Sequence, residues 1–345
     1  MRRAARSVVV ALVALVALVA PAALDVVPSA ARADTPPGLW GSVGDPGSRA
    51  RYDLHVRVRQ VLDFDARVEL AKFGALDHAR ALLEDARAEA SPDVRLRFDL
   101  GEVYYKLDLL PEAVRVLEPA TRANEGHPAA ADAMVTLAYC YAKLDRPREE
   151  HDAYQRYLKL AVDLGPRANA TLNLAESEMR LGNLAEAVTG YESALVLTAK
   201  LPPTSGAHQT AALAVWGLAV ALDRSGEGSR GRAAAARALG LDPGLAIISQ
   251  DKNVFFVPAY ERLWYLALGA GAQAEAAPNA HEALVHRRAQ ELALRTYVAK
   301  ATADDRWGGL AKVRLREASA LRARAEAAAR VAPPPPREPS EIFRF

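Results

Sequence analysis

Residues 94–127 read VRLRFDLGEVYYKLDLLPEAVRVLEPATRANEGH, and their spacing decides the fold. Counting from Val94, a large-small pair stands at the seventh and eighth positions (Leu100, Gly101) and a large residue at the eleventh (Tyr104). A small residue returns at the twentieth (Ala113), a large one at the twenty-fourth (Leu117) and a small one at the twenty-seventh (Ala120). Steps of three and four place each set on one face of a helix. The spacing therefore predicts two amphipathic helices with a turn near the fifteenth position. Small residues let the helices approach closely and large ones fill the gaps beside them. Such a hairpin leaves an apolar face open and must stack on copies of itself.

The copies are present. Residues 131–164 repeat the pattern with Leu137, Ala138, Tyr141 and Tyr154, although Glu150 and Tyr157 replace two small residues. Residues 168–201 carry Leu174, Ala175, Gly182, Ala187, Tyr191 and Ala194. Residues 212–245 carry Leu218, Ala219, Leu222, Gly226, Gly231, Ala235 and Ala238, then Asp242-Pro243. Residues 60–93 give a degenerate copy with Leu70, Ala79, Leu83 and Ala86, in which Gly74 reads as the turn and Arg67 takes the close-contact position. The surplus length between repeats falls in connections such as Pro202-Pro203-Thr204-Ser205-Gly206, where insertions leave the packing layers intact.

This pattern resembles the tetratricopeptide repeat family over roughly residues 60–245. The resemblance implies an all-α, right-handed solenoid of about five to six helix hairpins, acting by protein binding. Residues 246–331 read as a further degenerate hairpin and a polar capping helix, which an array needs to cover its last apolar face. Residues 332–345 read as an extended Pro-rich tail.

The N-terminus reads as a targeting segment. Arg2, Arg3 and Arg6 precede an apolar run from Val8 to Ala20, and Ala31-Arg32-Ala33 offers a cleavage site. The run is shorter than the ~20 residues a spanning helix needs, so an exported protein is expected, periplasmic or secreted, with no membrane insertion after cleavage. Residues 34–48 read as a flexible leader. Residues 1–33 hold four of the 44 Lys and Arg and one of the 42 Asp and Glu, so the remainder carries a net charge of −1. That balance argues against electrostatic nucleic-acid binding. The lone cysteine, Cys140, allows no internal disulfide and falls mid-helix as a small apolar residue.

Motifs that carry chemistry are weak. Gly226-x-Gly228-x-x-Gly231 has the spacing of a dinucleotide loop, but a helical segment precedes it and its glycines fall on repeat positions. His281 and His286 are five apart, so they do not share a helix face as metal ligands would. No catalytic residue, cofactor or metal is expected. The thirteenth position is basic in every repeat (Lys72, Lys106, Lys143, Arg180, Arg224). That stripe would suit an acidic ligand, but a cation is also favoured at a helix C-terminus.

In such solenoids the second, fifth, ninth and twelfth positions of the first helix line the concave face. The resemblance thus nominates Phe98, Glu102, Tyr105, Tyr139, Leu172, Glu176, Met179 and Trp216 as a peptide groove. Aromatic anchors in a polar surround concentrate binding energy. Packing against a neighbouring helix is the other reading for Phe98 and Trp216. A protein or peptide partner is expected, with a homo-oligomer as a further possibility. A spacer or oligomeriser acting through the convex face or the tail is the alternative function. The register makes one prediction. Ala187→Leu overpacks the contact between the two helices of its repeat and costs about 1–3 kcal/mol, read as a lower Tm; an unchanged Tm contradicts the register.

Overall fold

The structure, a computed structural model, describes residues 45–63, 69–250, 254 and 256–333. The targeting segment, leader residues 34–44 and tail residues 334–345 lie outside them. The chain divides into two compact units, residues 1–56 and 57–345. The described part of the first, residues 45–56, leads into and forms the start of helix α1 (Pro46–Leu62). The leader therefore ends sooner than the sequence suggests. Asp45 starts the helix by accepting hydrogen bonds from the backbone N–H groups of Gly47 at 3.2 Å and Ser48 at 2.8 Å.

The second unit is a stack of helix hairpins. In chain order the helices are α2 (Glu69–Asp85), α3 (Val94–Lys106), α4 (Leu110–Ala123), α5 (Ala130–Lys143), α6 (Pro147–Leu160), α7 (Leu164–Leu181) and α8 (Leu184–Thr198). Then follow α9 (Ser205–Arg224), α10 (Gly228–Leu241), α11 (Ala246–Gln250), α12 (Arg262–Ala276), α13 (Ala280–Lys300) and α14 (Gly308–Val331). No strand occurs among the described residues. Hairpins form between α3 and α4, α5 and α6, α7 and α8, and α9 and α10, and each packs on the next. The first helices also touch each other directly, α3 on α5 and α7 on α9. That arrangement is an α-solenoid.

Local chemistry sets the helix ends. Asp93 caps α3 by accepting from the Arg95 N–H at 3.1 Å, and Thr204 caps α9 through the Ala207 N–H at 3.2 Å. Pro111 and Pro147 stand in the first turns of α4 and α6, where no N–H is needed. The turn between the two helices of a hairpin is the most regular feature of the chain. Asp108, Asp145, Gly182 and Gly226 hold the fifteenth position of four repeats, and all four are left-handed, with φ of 60°, 55°, 90° and 87°. Close contacts fall where small residues stand: a Cβ on Gly101 would meet Leu117 Cδ2 at 2.3 Å, and one on Gly231 would meet the Asp223 backbone N at 3.1 Å. The glycine motif at Gly226 is thus a turn followed by a helix–helix contact.

One repeat departs from its expected form. Gly74 lies inside α2 instead of in a turn. A Cβ at Gly74 would meet nothing within 4 Å, so no contact demands glycine there.

The C-terminal end is built differently. α12 packs on α10, α13 on α12 and α14 on α13. Ala311, Ala318 and Ala329 of α14 face inward while its arginines and glutamates pair along the outside, as at Arg322–Glu326, so α14 serves as the polar cap. Arg224, at the end of α9, runs between the rings of Trp264 and Trp307, with its guanidinium 4.6 and 4.8 Å from their centroids, and donates to Glu261 at 2.5 Å. Tyr297 of α13 donates to the same carboxylate at 2.7 Å. Asp223 accepts from Trp264 Nε1 at 3.0 Å and from Arg314 of α14 at 3.2 Å.

The turn assignment is testable by two glycines in open space. Gly226→Ala forces alanine into a left-handed conformation and should cost about 1–2 kcal/mol, whereas Gly74→Ala should stabilise by about 0.5–1 kcal/mol because it lies in a helix. Urea denaturation of both variants checks this; loss of stability in Gly74→Ala contradicts a helix through that position.

Candidate functional site

The first helices of successive hairpins bring aromatic, amide and acidic side chains to a common cavity of about 460 Å³. Tyr105 of α3, Tyr139 of α5, and Leu172, Asn173 and Glu176 of α7 line it, together with Tyr154 of α6, Tyr191 of α8 and Tyr265 of α12. A second cavity of about 380 Å³ shares Tyr139, Tyr154, Asn169 and Asn173 with the first and extends to Arg59, Glu102 and Asp132. The two adjoin at these four residues, and together they make up the channel along the first helices.

Its rings are held in a relay. Tyr105 and Tyr139 stack with centroids 6.1 Å apart, and Tyr139 meets Tyr154 edge-on at 6.4 Å. Asn169 donates to the Tyr139 hydroxyl at 3.3 Å and Asn173 to the Tyr154 hydroxyl at 3.0 Å. These amides stand at the second and sixth positions of the third clear repeat. Phe256 and Val254, from the connector before α12, supply apolar wall, with Phe256 edge-on to Tyr265 at 4.9 Å. Burial raises the hydroxyl pKa of Tyr105 to about 12 and moves Tyr139, Tyr154, Tyr191 and Tyr265 upward, so all remain protonated donors.

The charges are unequally matched. Lys143 lies 5.2 Å from the centre of the Tyr105 ring and pairs with Asp108 at 3.1 Å. Arg180 is bound twice, to Glu150 at 2.5 Å and to Asp145 at 2.7 Å. Two basic thirteenth positions therefore pair with the turn aspartates of the preceding repeats, a local use that leaves little of the stripe for a ligand. Glu176 has no hydrogen bond or ion pair among the described residues. Burial raises its pKa to about 7, opposed by Arg180 and Arg224. Burial also raises Glu150 to about 8 against the pull of Arg180.

Of the nominated groove residues, Tyr105, Tyr139, Leu172 and Glu176 line the first cavity, and Glu102 lines the second. Glu102 is bonded there by Arg59 at 2.7 Å and Lys106 at 3.2 Å. Phe98, Met179 and Trp216 line neither cavity, because packing takes them. Phe98 sits edge-on to His127 at 6.0 Å, Met179 belongs to the apolar core, and Trp216 is fully buried with Nε1 donating to Asp242 at 3.3 Å. Tyr154, Asn169, Asn173, Arg180 and Tyr265 complete the site without having been nominated. Cys140 is fully buried, and burial raises its thiol to about 12, so it is an apolar core residue.

A helix-hairpin solenoid with a lined inner channel is the architecture of repeat proteins that bind along one face. Residues 70–134 match the model of the tetratricopeptide repeat family. No curated protein matches it. Among solved structures, a MamA protein is 17% identical, over 58% of this chain and 97% of that one, at a TM-score of 0.43. A putative kinesin light chain with TPR-like repeats from Podosopora anserina is 18% identical over 60% and 100%, at 0.44. A tetratricopeptide repeat protein from Parabacteroides merdae is 14% identical over 76% and 99%, at 0.43.

The raised carboxyl sets a pH dependence of stability. Glu176 has an ordinary value of 4.5 and is raised to about 7 in the fold. Below the first value it is protonated in both states and contributes nothing. Between the two values only the unfolded chain releases the proton, so stability falls as pH rises, and the loss is complete above the second. Glu176→Gln should therefore narrow the difference between urea midpoints at pH 5 and pH 8. An unchanged difference contradicts a desolvated carboxyl.

Proposed function

We propose that this chain is a non-enzymatic scaffold or adaptor of the cell envelope that holds a peptide or helix of a protein partner in its inner channel. The observation that carries this reading is that the two cavities adjoin and share Tyr139, Tyr154, Asn169 and Asn173. Tyrosine faces give contact area at low entropic cost and asparagines give directed hydrogen bonds, a combination suited to an extended or helical segment. Apart from Glu176 and Asp132, the charged groups lining the channel are tied to partners within the protein. No group of His, Cys, Asp and Glu that could hold a metal occurs among the described residues, and no helix there is long and apolar enough to cross a membrane. Export follows from the basic and apolar N-terminus and belongs to the same proposal.

The alternative is a spacer or oligomeriser working through the outer face or the Pro-rich tail. A pull-down of native partners separates the two. The double variant Tyr105→Ala, Tyr139→Ala, shown to be folded by circular dichroism, should lose partner recovery at least tenfold. Deletion of residues 332–345 should leave recovery unchanged. The reverse pattern overturns the channel reading and supports the alternative.

A further inference from the structure

The larger cavity carries one carboxyl, Glu176, that no hydrogen bond or ion pair holds among the described residues. The cations around Glu176 are engaged elsewhere: Lys143 with Asp108, Arg180 with Glu150 and Asp145, and Arg224 with Glu261 between two indole rings. The Glu176 carboxylate lies within electrostatic reach of Tyr154, Tyr191 and Tyr265. Tyr191 and Tyr265 hydrogen-bond each other, which turns their polar ends together at the cavity wall. A carboxylate set among phenolic hydroxyls attracts a cation by its charge, and the hydroxyl oxygens accept further hydrogen bonds from it. An anion would meet Glu176 itself. A neutral apolar side chain would leave that carboxylate desolvated without a partner, which is costly. The cavity, at about 460 Å³, has room for a long side chain.

We propose that this part of the channel takes the basic head of a lysine or arginine side chain presented by the bound protein segment. The inference rests on the channel being the binding site and names the chemistry that it selects. The aliphatic stem lies along Leu172 and the connector's Val254 and Phe256, and the cationic head meets Glu176. The segment that binds is therefore mixed, with apolar residues for the Tyr105–Tyr139 stretch and one basic residue for the far end. Glu176 is a specificity residue in this reading. Its substitution weakens basic segments and leaves apolar contacts intact.

The test uses N-acetyl-lysine N′-methylamide and N-acetyl-arginine N′-methylamide as probes, with N-acetyl-norleucine N′-methylamide as the uncharged control. Binding to the purified protein is followed by NMR chemical shifts. The expected result is saturable binding of the basic probes in the millimolar range, weakened at least tenfold in Glu176→Gln and partly restored in Glu176→Asp, with no saturable binding of the norleucine probe. Equal binding to wild type and Glu176→Gln, or no saturation by either basic probe, overturns the inference. Partner recovery separates the two levels. If Glu176→Gln keeps the native partner while Tyr105→Ala, Tyr139→Ala loses it, the channel stands and the basic-residue inference falls. If the tyrosine variant keeps the partner, the channel reading falls, and the probes still decide whether Glu176 binds a cation.

Discussion

Arg224 is a buried cation that ties the repeat stack to its C-terminal end. Its side chain is 1% exposed, so its charge is held almost entirely by Glu261 and the faces of Trp264 and Trp307. Taking two charges out of water is expensive, and removing one partner of such a pair costs about 3–5 kcal/mol. The geometry here offsets that cost with an ion pair, two cation–π contacts and a tyrosine hydroxyl on the same carboxylate. Arg224 closes α9, Glu261 precedes α12, Tyr297 lies on α13 and Trp307 precedes α14. One side chain therefore fixes four elements. Because Tyr265 follows Trp264 on α12, the same clamp also sets the far wall of the channel.

The clamp is a modified form of something the repeats do routinely. Lys143 and Arg180 occupy the same repeat position as Arg224 and pair with the left-handed turn residue of the preceding hairpin, Asp108 and Asp145. Those pairs involve exposed aspartates and contribute little each. For Arg224 the turn residue of the preceding hairpin is Gly182, which has no carboxylate, and Arg224 turns to the C-terminal elements instead. A position that decorates the array in its middle becomes the joint at its end. The inner channel follows from the same economy. Wherever a basic residue lines it, an acid of the protein is already bonded to it, which leaves Glu176 in the larger cavity and Asp132 in the second.

The repeat pattern was legible because it depends on spacing within one hairpin. Gly101, Ala113 and Leu117 are where close packing requires them, and the fifteenth position is left-handed at four of its five occurrences. Gly74 misled because its residue type matches the turn while its surroundings suit a helix equally well. The clamp was invisible, since Arg224 meets Glu261 across 37 residues and only the stacking of hairpins brings them together. The groove was half legible. Ninth and twelfth positions such as Tyr139, Glu176 and Tyr105 do face the channel, but Phe98 and Trp216 at the fifth position point into the seam between helices. Tyr154 and Tyr265 reach the channel from elements that helical periodicity assigns to the core.

Site-specific photo-crosslinking in the native host tests the central claim most directly. A benzoylphenylalanine placed at Tyr139, in the channel, is compared with one at Val196 on α8, which is 58% exposed and away from both cavities. The account predicts a discrete crosslinked partner from position 139 and none from position 196. A partner captured at 196 and not at 139 would place binding on the outer face and contradict it.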